Sequence, residues 1–344
     1  MRGIGRLRHL CRRAHQRINP GALILAYHRV YAPRRDPQLL CVSPENFRTH
    51  LEVLKNIANP ISMQQLLESA TTARKVRRAV VITFDDGYRD NYEQARRILA
   101  EYKVPATFFI TTGHINARRE FWWDELDRIF LSSGRLPAYL KLRIGEREVE
   151  YELGAHGKYF EQDTRRDASW DVTYADRPTE RHRIYDSLCN LFREANVVDR
   201  EDALSALRAW AGDNSSGRSE YYAMTDLEVL KLSQSEIFEV AAHTVNHPRL
   251  AAIDIAEQRA EVANSKTQLE AISGAQVSGF AYPFGGRGDY TPDTVSAVRS
   301  CGFNWACSNF EGVVRRSTDR FQLPRYLVRN WDRDTFTAFL STRL

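Results

Sequence analysis

The sequence predicts an α/β barrel of parallel strands, with fewer strands than the common eight. Short apolar runs, several rich in β-branched or aromatic residues, recur along the chain as buried strands should. Amphipathic stretches with helical spacing lie between them. Strand and helix in alternation are the pattern of a parallel sheet or barrel, and seven such runs set the strand count. The rhythm breaks once, in a long stretch of mixed charge from about 114 to 222.

The first run is ALILAY (22–27). SPENFRTHLEVLKN follows it, with a Ser before a Pro at the first helical position and Phe47, Leu51 and Leu54 at helical spacing. AVVITF (79–84) is the second run. DNYEQARRILAEY then places Tyr92, Ala95, Ile98 and Leu99 on one face. PATFFIT (105–111) is the third, and the irregular stretch enters directly after it. That stretch reads as an insertion in one βα loop, with a hairpin in YLKLRIGEREVEYEL and helices near 178–211. The rhythm resumes with IFEVAA (237–242) and DIAEQRAEVANSKTQLEAISG, which stops on Gly274. VSGFAY (277–282), the short helix TPDTVSAVRSCG, FNWACS (303–308) and LPRYLV (323–328) complete the series. The expected organisation is a basic N-terminal tail over 1–20 and one barrel domain over 21–344.

With 344 residues and 43% apolar content, the chain has ample material for a large core. A net charge of +5 is too mild to call for nucleic acid. The five cysteines, Cys11, Cys41, Cys189, Cys301 and Cys307, form no CxxC pair and no metal-type cluster. A reduced, cytosolic setting with buried thiols is the simplest reading. The first twenty residues carry Arg2, Arg6, Arg8, Arg12, Arg13 and Arg17 with no acid. They lack the apolar core of a secretory signal, and no transmembrane run occurs anywhere. A solvated tail is the simplest reading, and a membrane-surface segment or a transit peptide stays open. The expected location is cytoplasmic or membrane-peripheral.

Three stretches at strand ends carry polar chemistry. Asp85 and Asp86 close the second run, where a parallel barrel presents its reactive groups. Adjacent carboxylates can divide labour, one binding a metal and the other taking a proton; an Asp-Asp-Gly turn is the plainer alternative. AAHTVNHPRL places His243 and His247 four apart after the fourth run, a spacing at which imidazoles converge on one ion. It is not HExxH, so a base must come from elsewhere. SGFAYPFGG puts Pro283, Gly285 and Gly286 in a rigid turn, with Tyr282 and Phe284 as aromatic faces for a sugar and N–H groups available to an oxyanion. A hydrophobic loop packed on the rim explains those aromatics equally well.

In this order, TFDDGY, HTVNH and AYPFG resemble the motifs of the polysaccharide deacetylase (NodB-homology, carbohydrate esterase 4) family. The resemblance covers 21–113 and 223–330. It implies a distorted (β/α)7 barrel and metal-dependent removal of N-acetyl groups from sugars. It also implies that Asp86, His243 and His247 ligate a divalent metal, that Asp85 is the base, and that the Phe284 N–H holds the oxyanion. An Asp-His-His set suits Zn²⁺ and also other first-row metals.

The chain departs from the family pattern twice. Ala281 stands where many members carry an arginine that orients the base. No late histidine follows His247 as general acid. His28, ending the first run, is the candidate acid, and Arg325, in the last, the candidate replacement for the arginine. The expected substrate is an N-acetylated sugar of a cell-surface polysaccharide or its lipid-linked precursor. Two alternatives accompany it: a deformylase of a lipid-linked aminosugar and a non-catalytic glycan-binding barrel. The insertion, entering on the reactive rim, is the expected seat of substrate choice. Its Trp122 and Trp123 read either as core or as sugar-stacking residues.

Overall fold

The computed structural model describes residues 21–71 and 76–344. The basic tail lies outside the described residues. Seven parallel strands form the expected barrel: β1 (Leu23–Tyr27), β2 (Ala79–Phe84), β3 (Ala106–Ile110), β4 (Phe238–Ala242), β5 (Gly279–Ala281), β6 (Trp305–Cys307) and β7 (Tyr326–Leu327). They pair in the order β6-β5-β4-β3-β2-β1-β7, with the short strand Asn59–Pro60 added beside β2. The sheet curls until its two ends meet through a single parallel bridge between Cys307 and Leu323. Each strand falls within one of the seven apolar runs.

Side chains alternate across this sheet, as the two-residue period of a strand requires. Ile24, Val81, Phe109, Ala241, Ala281, Trp305 and Cys307 share the cluster inside the curl. Leu25, Ile82, Phe108, Val240 and Phe280 face outward into the larger core under the helices. Burying each Leu, Ile, Val or Phe stabilises the fold by about 1.5–3 kcal/mol before the entropy of ordering is subtracted. Gly279 is needed where it stands. A Cβ there would lie 2.1 Å from the Trp305 ring, so only glycine lets that indole fill the interior.

The helices follow the local signals. Helix α1 (Pro44–Ile57) starts where the Ser43 hydroxyl accepts from the Asn46 N–H, and it buries Phe47, Leu51 and Leu54. The segment after β2 begins as a π-helical turn, Asn91–Ala95, before becoming α-helical over Arg96–Tyr102.

After β3 come helix α2 (Trp122–Leu131), a hairpin of Tyr139–Ile144 with Arg147–Glu152, and helices α3 (Glu180–Glu194) and α4 (Val197–Ala211). These pack around an apolar cluster of their own, and Tyr88 from the β2 turn belongs to it. The segment is therefore built onto the barrel rim. Helix α5 (Ile255–Ser273), capped by Asp254 and stopped by a left-handed Gly274, returns the chain to β5.

Candidate active site

The backbone of β2 leaves the sheet in a tight reversal. The Asp85 N–H still donates to the Tyr27 carbonyl at 3.0 Å. Asp86 and Gly87 are then both left-handed, at φ 70 and 81. Asp tolerates this conformation better than most residues, and Gly87 adopts it freely. The two carboxylates are thereby sent to different partners, and both are buried.

Asp85 meets Arg325. The guanidinium donates to both carboxylate oxygens at 2.7 Å, a bidentate pair. Its remaining donors are also placed, Nε on the Ser308 carbonyl at 2.8 Å and Nη1 on the Thr83 hydroxyl at 3.1 Å, and its plane lies over the Phe109 ring at 5.3 Å. Burial alone would raise the Asp85 carboxyl, but Arg325, His243 and His28 together outweigh it and hold it below the ordinary value. Asp85 is thus kept ionised and fixed in direction. The arginine comes from the start of the β7 segment, while Ala281 on β5 faces the same interior with a small side chain.

Asp86 meets the histidines. His243 Nε2 lies 3.5 Å and His247 Nε2 3.4 Å from Asp86 Oδ1. All three ligand atoms fall within 4.8 Å of one another. Tetrahedral bonds of about 2.1 Å place neighbouring donors about 3.4 Å apart, so this set fits a single divalent ion.

The loop that carries the histidines is closely held. His243 Nδ1 bonds the Ala281 carbonyl at 2.8 Å, which turns Nε2 toward Asp86. The Thr244 hydroxyl accepts from the His247 N–H at 3.0 Å. The Glu261 carboxylate accepts from the N–H groups of Val245 and Asn246 at 2.8 and 2.9 Å. Thr244 and His247 are both left-handed, at φ 64 and 53, a strain this bonding supports.

The remaining expected residues divide. His28 follows β1 with its ring half-buried, and its carbonyl is fixed by the Asn91 side chain at 2.7 Å. Burial lowers its pKa while Asp86 and Asp85 pull it upward, so the ring lies within electrostatic reach of both acids, and the net shift is downward. Phe284 is left-handed at φ 60, and among the described residues no acceptor takes its N–H. Its ring packs against His247 at 4.9 Å and beneath Arg193 at 4.7 Å. Pro283 makes the turn, its carbonyl accepting from the Gly285 N–H at 2.6 Å.

Tyr282 corrects the expectation of a sugar-facing ring. It is fully buried, stacked on Tyr290 at 4.0 Å, with its hydroxyl on the Phe321 carbonyl at 2.9 Å. It lies two residues beyond Phe280 and continues that residue's outward, core-facing side of the strand.

Trp122 and Trp123 are each 6% exposed, which favours the core reading over sugar stacking. Trp123 nevertheless touches the site. Its ring meets His247 edge-on at 5.1 Å, and its Nε1–H donates to the Tyr88 hydroxyl at 2.7 Å. Tyr88 in turn donates to Asp124 at 2.6 Å. Burial pushes the Asp124 carboxyl up to about 8, despite Arg29 and Arg218.

His114 is a further buried imidazole that sequence reasoning passed over, stacked on Phe121 at 4.1 Å. It lies four residues beyond the end of β3, and that strand-end position was the available signal.

Comparison with known proteins agrees with this geometry. Residues 72–134 and 163–306 match the family model described as polysaccharide deacetylase; the intervening gap holds the hairpin. A poly-beta-1,6-N-acetyl-D-glucosamine N-deacetylase of Staphylococcus aureus is 33% identical over 107 residues, covering 27% of this chain. The match spans only 37% of that relative's length. Among solved structures, the Streptococcus pyogenes deacetylase PplD shares the fold with a TM-score of 0.57 at 16% identity, over 94% of this chain and 99% of its own. IcaB from Ammonifex degensii does so with a TM-score of 0.56 at 16% identity, over 93% and 96%.

Proposed function

The chain belongs to the polysaccharide deacetylase family, and from that premise we propose that it is a metal-dependent hydrolase of N-acetylated sugars in a cell-surface polysaccharide or its lipid-linked precursor. The observation that carries this reading is the division of the Asp85-Asp86 pair: one carboxylate clamped by Arg325, the other facing two histidines. Poly-β-1,6-N-acetylglucosamine, named for the S. aureus relatives, is the first substrate to test.

Asp86, His243 and His247 would hold the metal, with Zn²⁺ first among the candidates. Such an ion polarises a carbonyl and acidifies water. Asp85 takes the proton of the attacking water as its oxygen bonds to the acetyl carbon. Arg325 keeps the accepting carboxylate aimed and ionised. The Phe284 N–H donates to the oxygen on which negative charge gathers. As the carbon–nitrogen bond breaks, His28 delivers a proton to the departing amine, and acetate and the free amino sugar result. Because burial lowers its pKa, His28 must first take up that proton from solvent, and Asp85 returns its own to solvent once acetate has left.

The test is acetate release from poly-β-1,6-N-acetylglucosamine and lipid-linked N-acetylhexosamines, with and without added metal. Wild type should release acetate and lose the activity to a chelator. Asp85→Asn should keep its metal and lose about 10²–10⁴-fold in kcat, the range for removing a general base. No metal-dependent release from any of these substrates would reject the proposal. Running a formyl analogue in competition decides between deacetylation and deformylation.

A further inference from the structure

One inward-facing acid lies at the end of the barrel away from the candidate catalytic residues. Strands β3 and β4 pair in parallel, with Glu239 opposite Thr107 near their first residues. Alternation puts Glu239 on the side of Ala241 and Thr107 on the side of Phe109, and both of those residues line the interior of the curl. About 13 Å of strand separates Glu239 from His243 at the other mouth.

Glu239 is half-buried. Its Oε2 accepts from the Thr107 hydroxyl at 3.1 Å, and among the described residues no cation pairs with it. Burial pushes its carboxyl up to about 7. As pH rises through that value the ionised group costs stability, and the proposed hydrolysis makes no use of it.

Thr107 and Glu239 both open onto a cavity of about 270 Å³. Ser62, Ser233 and Gln276 add hydroxyl and amide groups to its lining, and Glu236 adds a second, exposed carboxylate. Among the described residues, no Lys, Arg or His lines it. Negative charge inside a cavity that supplies no counter-charge calls for a cationic ligand. A divalent ion needs several acidic or imidazole groups close together, and among the described residues only Asp86, His243 and His247 meet that condition. An ammonium needs only one carboxylate, and the surrounding hydroxyl and amide groups suit a ligand that carries hydroxyls.

We propose that this cavity binds the protonated form of an amino sugar, with its ammonium on Glu239 and its hydroxyls toward Ser62, Ser233 and Gln276. The need for a cation comes from the cavity. Choosing an amino sugar as its bearer rests on the deacetylase reading, in which the free amine is the product. The N-acetylated form is neutral and offers Glu239 no charge. The cavity therefore holds a unit that has already been deacetylated, at the mouth opposite the one where the amide is cleaved.

The test uses the full-length, metal-loaded protein and ligands without an acyl group, so that binding is read without turnover. Melting is followed near neutral pH with methyl β-glucosaminide, methyl β-glucoside or methylammonium at constant ionic strength. A ligand that binds only the folded protein raises Tm in a saturable way. The glucosaminide should saturate at a concentration about ten-fold lower than either of the others. Glu239→Gln should abolish that preference and Gln276→Ala should weaken it, both with acetate release at the wild-type level. Equal responses to the three ligands, or an undiminished preference in Glu239→Gln, overturns the proposal. Should Glu239→Gln fail to fold, wild-type crystals soaked in the glucosaminide decide. Sugar density against Glu239 supports the site, and an empty cavity rejects it. Preferential binding by a wild type that releases no acetate supports the cavity and rejects the deacetylase reading, which keeps the two failures distinguishable.

Discussion

At the barrel rim, Asp85 and Arg325 pair across 240 residues of sequence, and every donor of the arginine that faces the site has a partner. In the inserted segment, buried charge is arranged in a dense network instead. Glu120 accepts from Arg128 and Arg218, Asp127 from Arg35 and Arg218, and Glu125 from Arg208 and Arg128. On the proposed function, the rim pair aims one carboxylate at the reaction. The network ties helix α2 to helix α4 and to the loops that carry Arg35, Glu120 and Arg218. Buried charge thus fixes a proposed reacting group in one region and a wall in the other.

Breaking the rim pair should have the larger effect. Arg325→Met leaves Asp85 buried and unpaired, which costs about 3–5 kcal/mol of stability. It should also lower kcat about 10²-fold through loss of aim. The pH profile separates these effects. In wild type Arg325 and the histidines hold the Asp85 carboxyl below its ordinary value. Without Arg325 the raising effect of burial dominates, so the acidic limb of kcat/KM moves up in pH. An unchanged limb would detach Arg325 from the base.

Trp123→Phe should have an intermediate effect. It removes the buried donor to Tyr88 and should cost about 1–2 kcal/mol of stability. KM should hold, because the ring is buried against His247 and does not face solvent; a KM rise with unchanged Tm would restore the sugar-stacking role. The smallest effect belongs to the hairpin. Lys141 pairs with Glu148 and Glu150 on an open surface, so Lys141→Ala should leave Tm and turnover unchanged.

The strands were legible because their causes are local: an apolar run with a turn residue behind it needs no distant partner to be recognised. Asp86, His243 and His247 were legible for a related reason, since each sits at or just beyond a strand end where barrels present their chemistry. Arg325 was readable only as a rim arginine. Its pairing depends on how the curled sheet closes, which no spacing encodes. Tyr282 misled because the motif drew attention to its aromatic ring, while the alternation from Phe280 already placed it in the core. Asp124 and Tyr88 were silent in sequence, because their pairing and the raised Asp124 value arise only once the insertion packs against the turn after β2.

The curled sheet is joined end to end by a single bridge at Leu323, two residues before Arg325. Arg325 reaches across that seam, holding the Ser308 carbonyl on one flank and Thr83 and Asp85 on the other. It therefore acts as a clasp on that seam. Any opening of the seam would release the base at the same moment, so catalytic competence and closure of the barrel become one event. Amide exchange at Ser308 and Leu323, whose N–H groups bond across the seam at 2.9 Å, should quicken together when the clasp is removed.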